Sequence, residues 1–244
     1  MLNRKTKCNL IAVIIGLGTI TLWVPLSYAV IISPVQLDLS KKNPVGSFTV
    51  TNDSAATITY QAGALTWAQV EGEDIQLATN DLIVTPPIVT IKPKSAQVFR
   101  VALFKPAIHS VEHSYRIMLD DISADVAEKT ETGISFRFNH NLPVFYAPAT
   151  NIDSVIWSRC ESKIAGKSCV LMENKGNRHA KVVKFTAISA SAEEPNTKSK
   201  TLLAGSTTQW LFSSMLGSEN TTGIKLITDK GPLNLSLKDL PRSR

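Results

Sequence analysis

The chain has 244 residues, 26 Lys+Arg against 20 Asp+Glu, 43% hydrophobic residues and three cysteines, with a formal net charge of +6. Three of those bases, Arg4, Lys5 and Lys7, fall within residues 1–29, which hold no acid, so 23 bases face 20 acids afterwards. That balance, without a basic block interleaved with aromatics, excludes a nucleic-acid-binding surface of the usual kind. Twelve Gly, twelve Pro and 19% charged residues also exclude a disordered or collagen-like chain.

Residues 1–29 read as an export signal. Arg4, Lys5 and Lys7 form a positive start, Leu10 to Val24 an apolar stretch, and Ser27-Tyr28-Ala29 a small-x-small end with cleavage expected near Ala29. The apolar run falls short of the roughly 20 residues that span a bilayer. The mature protein is therefore expected in the periplasm. Cys8 leaves with the signal, and Cys160 and Cys169, nine apart, are expected to form a structural disulfide in that oxidising compartment.

From Val30 onward the pattern is strand-like. Ile32, Val35, Leu37 and Leu39 alternate with polar residues, and Phe48 and Val50 lead to a turn at Asn52-Asp53-Ser54. Ile58, Tyr60 and Trp67, then Ile83-Val84, Val98 to Leu103, Tyr115 to Leu119 and Ile134 to Phe145 continue it. Short β-branched and aromatic runs between Asn, Asp, Gly and Pro turns predict an antiparallel immunoglobulin-like sandwich over residues 30–148. Ala147 to Thr150 reads as a linker. A second, smaller sandwich is expected over 149–244, from Val170-Leu171, Lys181 to Phe185, Thr208 to Phe212, Ile224 to Ile227 and Leu233-Leu235-Leu237, with Pro241 to Arg244 as a loose tail. The fold class is all-β, in two domains.

Catalytic signatures are missing from the sequence. His109 and His113 would ligate zinc together only on a helix, and here they flank Glu112 ahead of a strand, as surface polar residues do. Asp120-Asp121 and Glu71-Gly72-Glu73-Asp74 read as solvated acids in turns, and Gly176 and Gly205 as isolated turn glycines. No nucleophile–base pair, phosphate loop or metal-ligand cluster stands out, so neither enzyme activity nor a cofactor nor a metal is expected.

The segment from Thr132 to Tyr146 is the informative one. Ile134, Phe136 and Phe138 share one face of a strand, and Ser135, Arg137 and Asn139 the other. The three apolar residues either fill their own core or present an edge to another protein by β-augmentation.

At this point the chain resembles the PapD-like periplasmic chaperones of chaperone–usher pilus assembly. The resemblance rests on Ser33-Pro34 with Leu37 and Leu39, Val50-Thr51-Asn52, Trp67, Leu82-Ile83-Val84-Thr85-Pro86-Pro87 and Pro93. It continues through Gln97 to Val101, Tyr115-Arg116, Leu142-Pro143-Val144-Phe145 and Asn174-Lys175-Gly176-Asn177-Arg178-His179. It implies two immunoglobulin-like domains in an L, with a cleft between them. It also implies binding of pilus subunits that lack a final strand, and delivery to an outer-membrane usher. Ile134, Phe136 and Phe138 would be the donor side chains. Conventional members anchor the subunit's terminal carboxylate with an Arg and a Lys at places that fall here near Gln36 and Pro143. This departure resembles the archaic and alternative, spore-coat-U-type branch. A different anchor is then required, with Arg116 the first candidate and Arg100 the second. Self-association through the donor strand would be a further use of that edge. Readings from other classes are an exported subunit or adhesin, and a carbohydrate-binding sandwich with Trp67, Trp157 and Trp210 as platforms.

Overall fold

A computed structural model describes residues 30–104, 109–123, 137–189, 193–196, 198–213 and 221–243, with backbone only at 221 and 222. The described residues form eighteen strands and no helix. Strands β1 (Val30–Ser33), β2 (Leu37–Leu39), β3 (Val45–Asn52), β4 (Ile58–Val70), β5 (Glu73–Ala78), β6 (Leu82–Thr85), β7 (Ile88–Ile91), β8 (Ser95–Leu103), β9 (His113–Asp121) and β10 (His140–Tyr146) make the first sandwich. One sheet runs β1-β3-β8-β6 and the other β2-β10-β9-β4-β5, with β7 paired to β4. The first alternating run of the sequence thus divides at Ser33-Pro34: β1 joins one sheet and β2 the other. A proline suits such a break, because it cannot donate to a ladder.

Alternation along the strands fixes which side chains face inward. Phe48, Val50, Phe99, Val101, Ile117, Leu119, Leu142 and Val144 are buried in one core, where Phe48 and Phe99 stack 5.0 Å apart. Each buried side chain of this size is worth about 1.5–3 kcal/mol. Inward residues of β9 are Tyr115, Ile117 and Leu119, so Arg116 lies on the outer face of its sheet. By the same alternation Trp67 and Gln69 on β4, and Pro143 and Phe145 on β10, lie on that outer face too.

The second sandwich comprises β11 (Val155–Cys160), β12 (Lys167–Asn174), β13 (Ala180–Ser189), β14 (Glu193–Asn196), β15 (Lys200–Leu202), β16 (Thr207–Ser213), β17 (Thr221–Thr228) and β18 (Gly231–Ser236). Its sheets run β11-β12-β16 and β14-β13-β17-β18, with β15 paired to β13. Trp157 and Trp210 are buried in its core, with the Trp210 ring stacked on Phe185 at 5.5 Å, so neither is a carbohydrate platform. Cys160 and Cys169 oppose each other in the β11–β12 ladder and are disulfide-bonded.

Each sandwich repeats one device. Asn52 ends β3 and Asn174 ends β12, and both are buried. The Asn52 amide donates to Ala56 O (2.8 Å) and Ile91 O (3.0 Å), and its Oδ1 accepts from Ser54 N (3.0 Å). The Asn174 amide donates to Arg178 O (2.6 Å) and Leu202 O (3.1 Å), and its Oδ1 accepts from Gly176 N (3.0 Å). A buried amide so placed satisfies loop backbone that no ladder reaches.

The C-terminal residues differ from the loose tail expected of them. Arg159 N donates to Pro241 O and Ser243 N to Arg159 O, both at 2.7 Å, so residues 241–243 pair with the free edge of β11. An unpaired edge supplies the hydrogen bonds that hold a short polar tail in place.

Candidate functional site

β10 has an asymmetric position. It pairs antiparallel with β9 along its full length, from His140 opposite Leu119 to Tyr146 opposite His113. Its other edge pairs in parallel with β2 only at Val144, Phe145 and Tyr146. Among the described residues, nothing pairs with that edge from His140 to Pro143.

Ile134 and Phe136 lie outside the described residues. Phe138 is described, and its position is informative. The expected strand from Ile134 to Phe145 is shorter in the structure, because residues 137–139 precede β10 without belonging to a strand. Asn139 stays beside the end of β9, where its Oδ1 accepts from Asp121 N at 3.3 Å. Phe138 is 67% exposed. It has the same parity as Leu142 and Val144, which fill the domain's own core. The alternate apolar positions of β10 thus continue in sequence to Phe138, which is exposed and not inward.

Arg116 sits directly opposite Pro143 in the β9–β10 ladder. The Arg116 side chain thus lies one strand away from Pro143, on the same face. The guanidinium carbon lies 3.6 Å from the centroid of the Trp67 ring. Stacking of this kind contributes roughly 2 kcal/mol when the pair is desolvated, and leaves the in-plane N–H groups free to bond. Arg116 Nε is buried and has no hydrogen-bond partner among the described residues. None of their ion pairs involves Arg116. Burial pushes the guanidinium below its ordinary pKa, and the charge of Asp74 draws it partly back. An unpaired buried donor costs about 1–3 kcal/mol, more when charged, so this position favours an incoming anion.

Arg100 is elsewhere. It lies on β8, in the opposite sheet, exposed, between Ser47 and Thr85. It does not converge with Arg116. Gln36, just ahead of β2, is exposed and bonded to Asp38 at 3.2 Å.

The same outer face carries the domain junction. Trp67, Phe145 and Leu203 form a cluster separate from both cores. Gln69, two residues after Trp67, donates to Thr201 O and accepts from Leu203 N, each at 2.9 Å. The β4–β5 hairpin that carries it turns at Glu71 and Gly72, both with positive φ (53° and 85°), as a two-residue turn of this class requires. These acids do not form an isolated surface turn, because Gly72 faces the Thr207 backbone of the second domain.

Glu112, between His109 and His113, is a buried acid: its side chain is only 2% exposed. Its Oε1 accepts from His179 N at 2.9 Å and lies 2.8 Å from His179 Nδ1. The Arg178 Nε is 3.9 Å from Oε2. Segment 174–179 of the second domain closes over Glu112, and the His179 ring stacks on Phe145 at 3.6 Å. Asn177 adds bonds to Ser110 O and Thr150 O, both at 2.8 Å. Gly176 is required here for space, since a Cβ would collide with Ile152 O. His109 and His113 do stack on each other at 3.6 Å, but as a pair beside Tyr146. Among the described residues no group of three or more His, Cys, Asp or Glu is placed to hold a metal. Glu112 and Gln69 carried no signal in the sequence, because their partners come from the other domain.

Solved structures share this architecture. The chaperone complex of the archaic Csu pili of Acinetobacter baumannii, CsuC with the tip adhesion subunit CsuE, superposes with a TM-score of 0.66 at 16% identity, covering 88% of this chain and 100% of the other. The Salmonella enterica SafB chaperone with the SafA pilin gives 0.62 at 13% identity, covering 86% and 97%. The E. coli chaperone DraB gives 0.59 at 14% identity, covering 86% and 95%. These likenesses establish the two-domain β-sandwich fold. No curated protein matches the chain. The profile of the pili and flagellar-assembly chaperones, PapD N-terminal domain, matches residues 29–151. With half of its length matched, first sandwich included, the chain belongs to this family of PapD-like pilus chaperones.

Proposed function

We propose that this protein is an exported periplasmic chaperone that holds pilus subunits by donor-strand complementation and hands them to an outer-membrane usher. The observation that carries the reading is the half-open edge of β10, with Phe138 exposed just ahead of it, at the same parity as Leu142 and Val144. A subunit lacking its last strand needs main-chain partners for its own open edge and apolar side chains for its groove. Residues 134–142 supply both, with Ile134, Phe136 and Phe138 as the inserted side chains. At about 1.5–3 kcal/mol each, three such side chains are a substantial part of any subunit affinity.

Arg116 then takes the subunit's terminal carboxylate. Its place opposite Pro143, its stacking on Trp67 and its buried Nε, which has no hydrogen-bond partner among the described residues, support that role over Arg100. In this reading the anchor comes from a place other than the two that conventional members use, which fall here near Gln36 and Pro143. The test is co-expression with the small exported β proteins encoded beside the chaperone, followed by purification from the periplasm. The native chain carries a stoichiometric subunit with it. Ile134→Ala/Phe136→Ala/Phe138→Ala and Arg116→Ala each reduce recovery strongly, and Arg100→Ala does not. Undiminished recovery with the triple variant would sink the donor-strand assignment.

A further inference from the structure

The Trp67 indole N–H is buried and has no hydrogen-bond partner among the described residues. No hydrogen bond therefore fixes the orientation of this ring; packing alone does. Its packing partners are Phe145, whose centroid is 5.8 Å away, and Leu203, which comes from the second domain. Leu203 is itself held in place by Gln69. The Gln69 amide spans the backbone at Thr201 O and Leu203 N, on either side of the turn of chain that points Leu203 toward Trp67. The other partner is fixed from the second domain as well. Phe145 stacks on His179, which is bonded to Glu112. One contiguous series, Glu112, His179, Phe145, Trp67 and Arg116, crosses the domain boundary and ends at the guanidinium.

We infer that the second domain is a working part of the carboxylate anchor: Leu203 and Gln69 are positioning residues that hold Trp67 as the platform on which Arg116 is presented. This rests on the reading of Arg116 as the anchor. If Trp67 is free to turn, the guanidinium loses both its aromatic face and its fixed direction. A flexible cation binds a carboxylate with less selectivity, since the fork geometry must then be ordered at the moment of binding. Removal of the Leu203 side chain at this boundary leaves space beside an indole whose own N–H has no hydrogen-bond partner among the described residues.

Two measurements on the full mature protein separate the possibilities. The first needs no subunit. The Arg116 Nε–H resonance of an arginine-labelled sample is shifted upfield by the Trp67 ring. Leu203→Ala moves it toward the value of an unstacked arginine, and Leu203→Met restores it. An unchanged shift in Leu203→Ala overturns the inference. Should Leu203→Ala fail to fold, Gln69→Ala, which leaves both cores intact, carries the same expectation. The second uses the subunit that travels with the chaperone, with its native C-terminus and with two glycines added beyond it. The native protein prefers the unextended form, and Leu203→Ala reduces that preference by up to about thirtyfold, the equivalent of a desolvated cation–π contact. If Arg116→Ala leaves the preference intact, the anchor reading itself falls and takes the inference with it. If Arg116→Ala abolishes the preference and Leu203→Ala keeps it, the positioning role alone is refuted.

Discussion

Replacing Glu112 with alanine tests how the two sandwiches are held together. The carboxylate is nearly inaccessible and takes two donors from His179, the backbone N–H at 2.9 Å and the ring Nδ1 at 2.8 Å. Glu112→Ala leaves a buried N–H without an acceptor, a loss of about 1–3 kcal/mol. It also leaves the His179 ring N–H without its acceptor, a second buried donor at about 1–3 kcal/mol, and takes from Arg178 the carboxylate 3.9 Å away. Some of the junction survives, because Glu112 N still donates to Asn177 O at 2.9 Å and Asn177 still bonds to Ser110 and Thr150. The expected destabilisation is therefore about 3 kcal/mol for Glu112→Ala. It is about 1 kcal/mol for Glu112→Gln, which retains one acceptor oxygen. Urea unfolding, followed by tryptophan fluorescence and circular dichroism together, is the assay. Because the lost contacts lie between domains, the parent's cooperative transition should separate into two in Glu112→Ala. A double-mutant cycle with His179→Ala should give a coupling of about 1.5–3 kcal/mol. A change under about 0.5 kcal/mol, with the transition undivided, would refute the view that this pair joins the domains.

Acidification should destabilise the protein. Burial, followed by the neighbouring His109, holds the His113 imidazole below its ordinary pKa, and burial does the same to His140 against the pull of Asp121. The unfolded chain therefore binds protons that the folded chain resists. This contribution is complete above the ordinary histidine value of about 6.5 and is lost as the pH falls through it toward the lowered values. Denaturation midpoints taken from pH 7.5 to pH 5 should fall, and His113→Gln/His140→Gln should flatten the slope; a parallel slope would contradict the assignment. Reduction of the Cys160–Cys169 bond, which closes a short loop, should cost about 2.5 kcal/mol in the second domain by chain entropy. In the Glu112→Ala background, where the two domains unfold separately, the transition of the first domain should be unaffected, as shown by unfolding with and without reductant.

What was legible in the sequence depended on whether the signal was local. Period-two alternation sufficed for the all-β class and for the inward faces of β8, β9 and β10, because burial on one side of a sheet writes itself into every second residue. The three tryptophans show the limit. Trp157 and Trp210 are core residues, as alternating strands suggest. Trp67 has the same local pattern yet faces the junction, since an outer face covered by another domain looks in sequence like an inner one. Glu112 carried no signal for a related reason. Its burial is produced by residues 174–179, about 65 positions away, and no periodicity encodes that distance. Arg116 as first candidate and Arg100 as second were legible from the family resemblance, while the distance between their positions comes from three-dimensional register. One stands opposite Pro143; the other is on the far sheet. The C-terminal residues were misjudged because Pro-Arg-Ser-Arg has the composition of a tail, while the free edge of β11 has no signature at the tail itself.

Hydrogen exchange on the chaperone alone and with its co-purified subunit addresses the donor-strand claim most directly. If residues 134–142 enter the subunit as a strand, their alternate backbone amides become protected on binding, together with the His140–Pro143 edge that β2 leaves open. Protection should spread to Arg116 Nε–H as the carboxylate is captured. A subunit complex in which amides 134–142 exchange as fast as in the free protein, with protection elsewhere, would contradict donor-strand complementation and place the binding surface on another face.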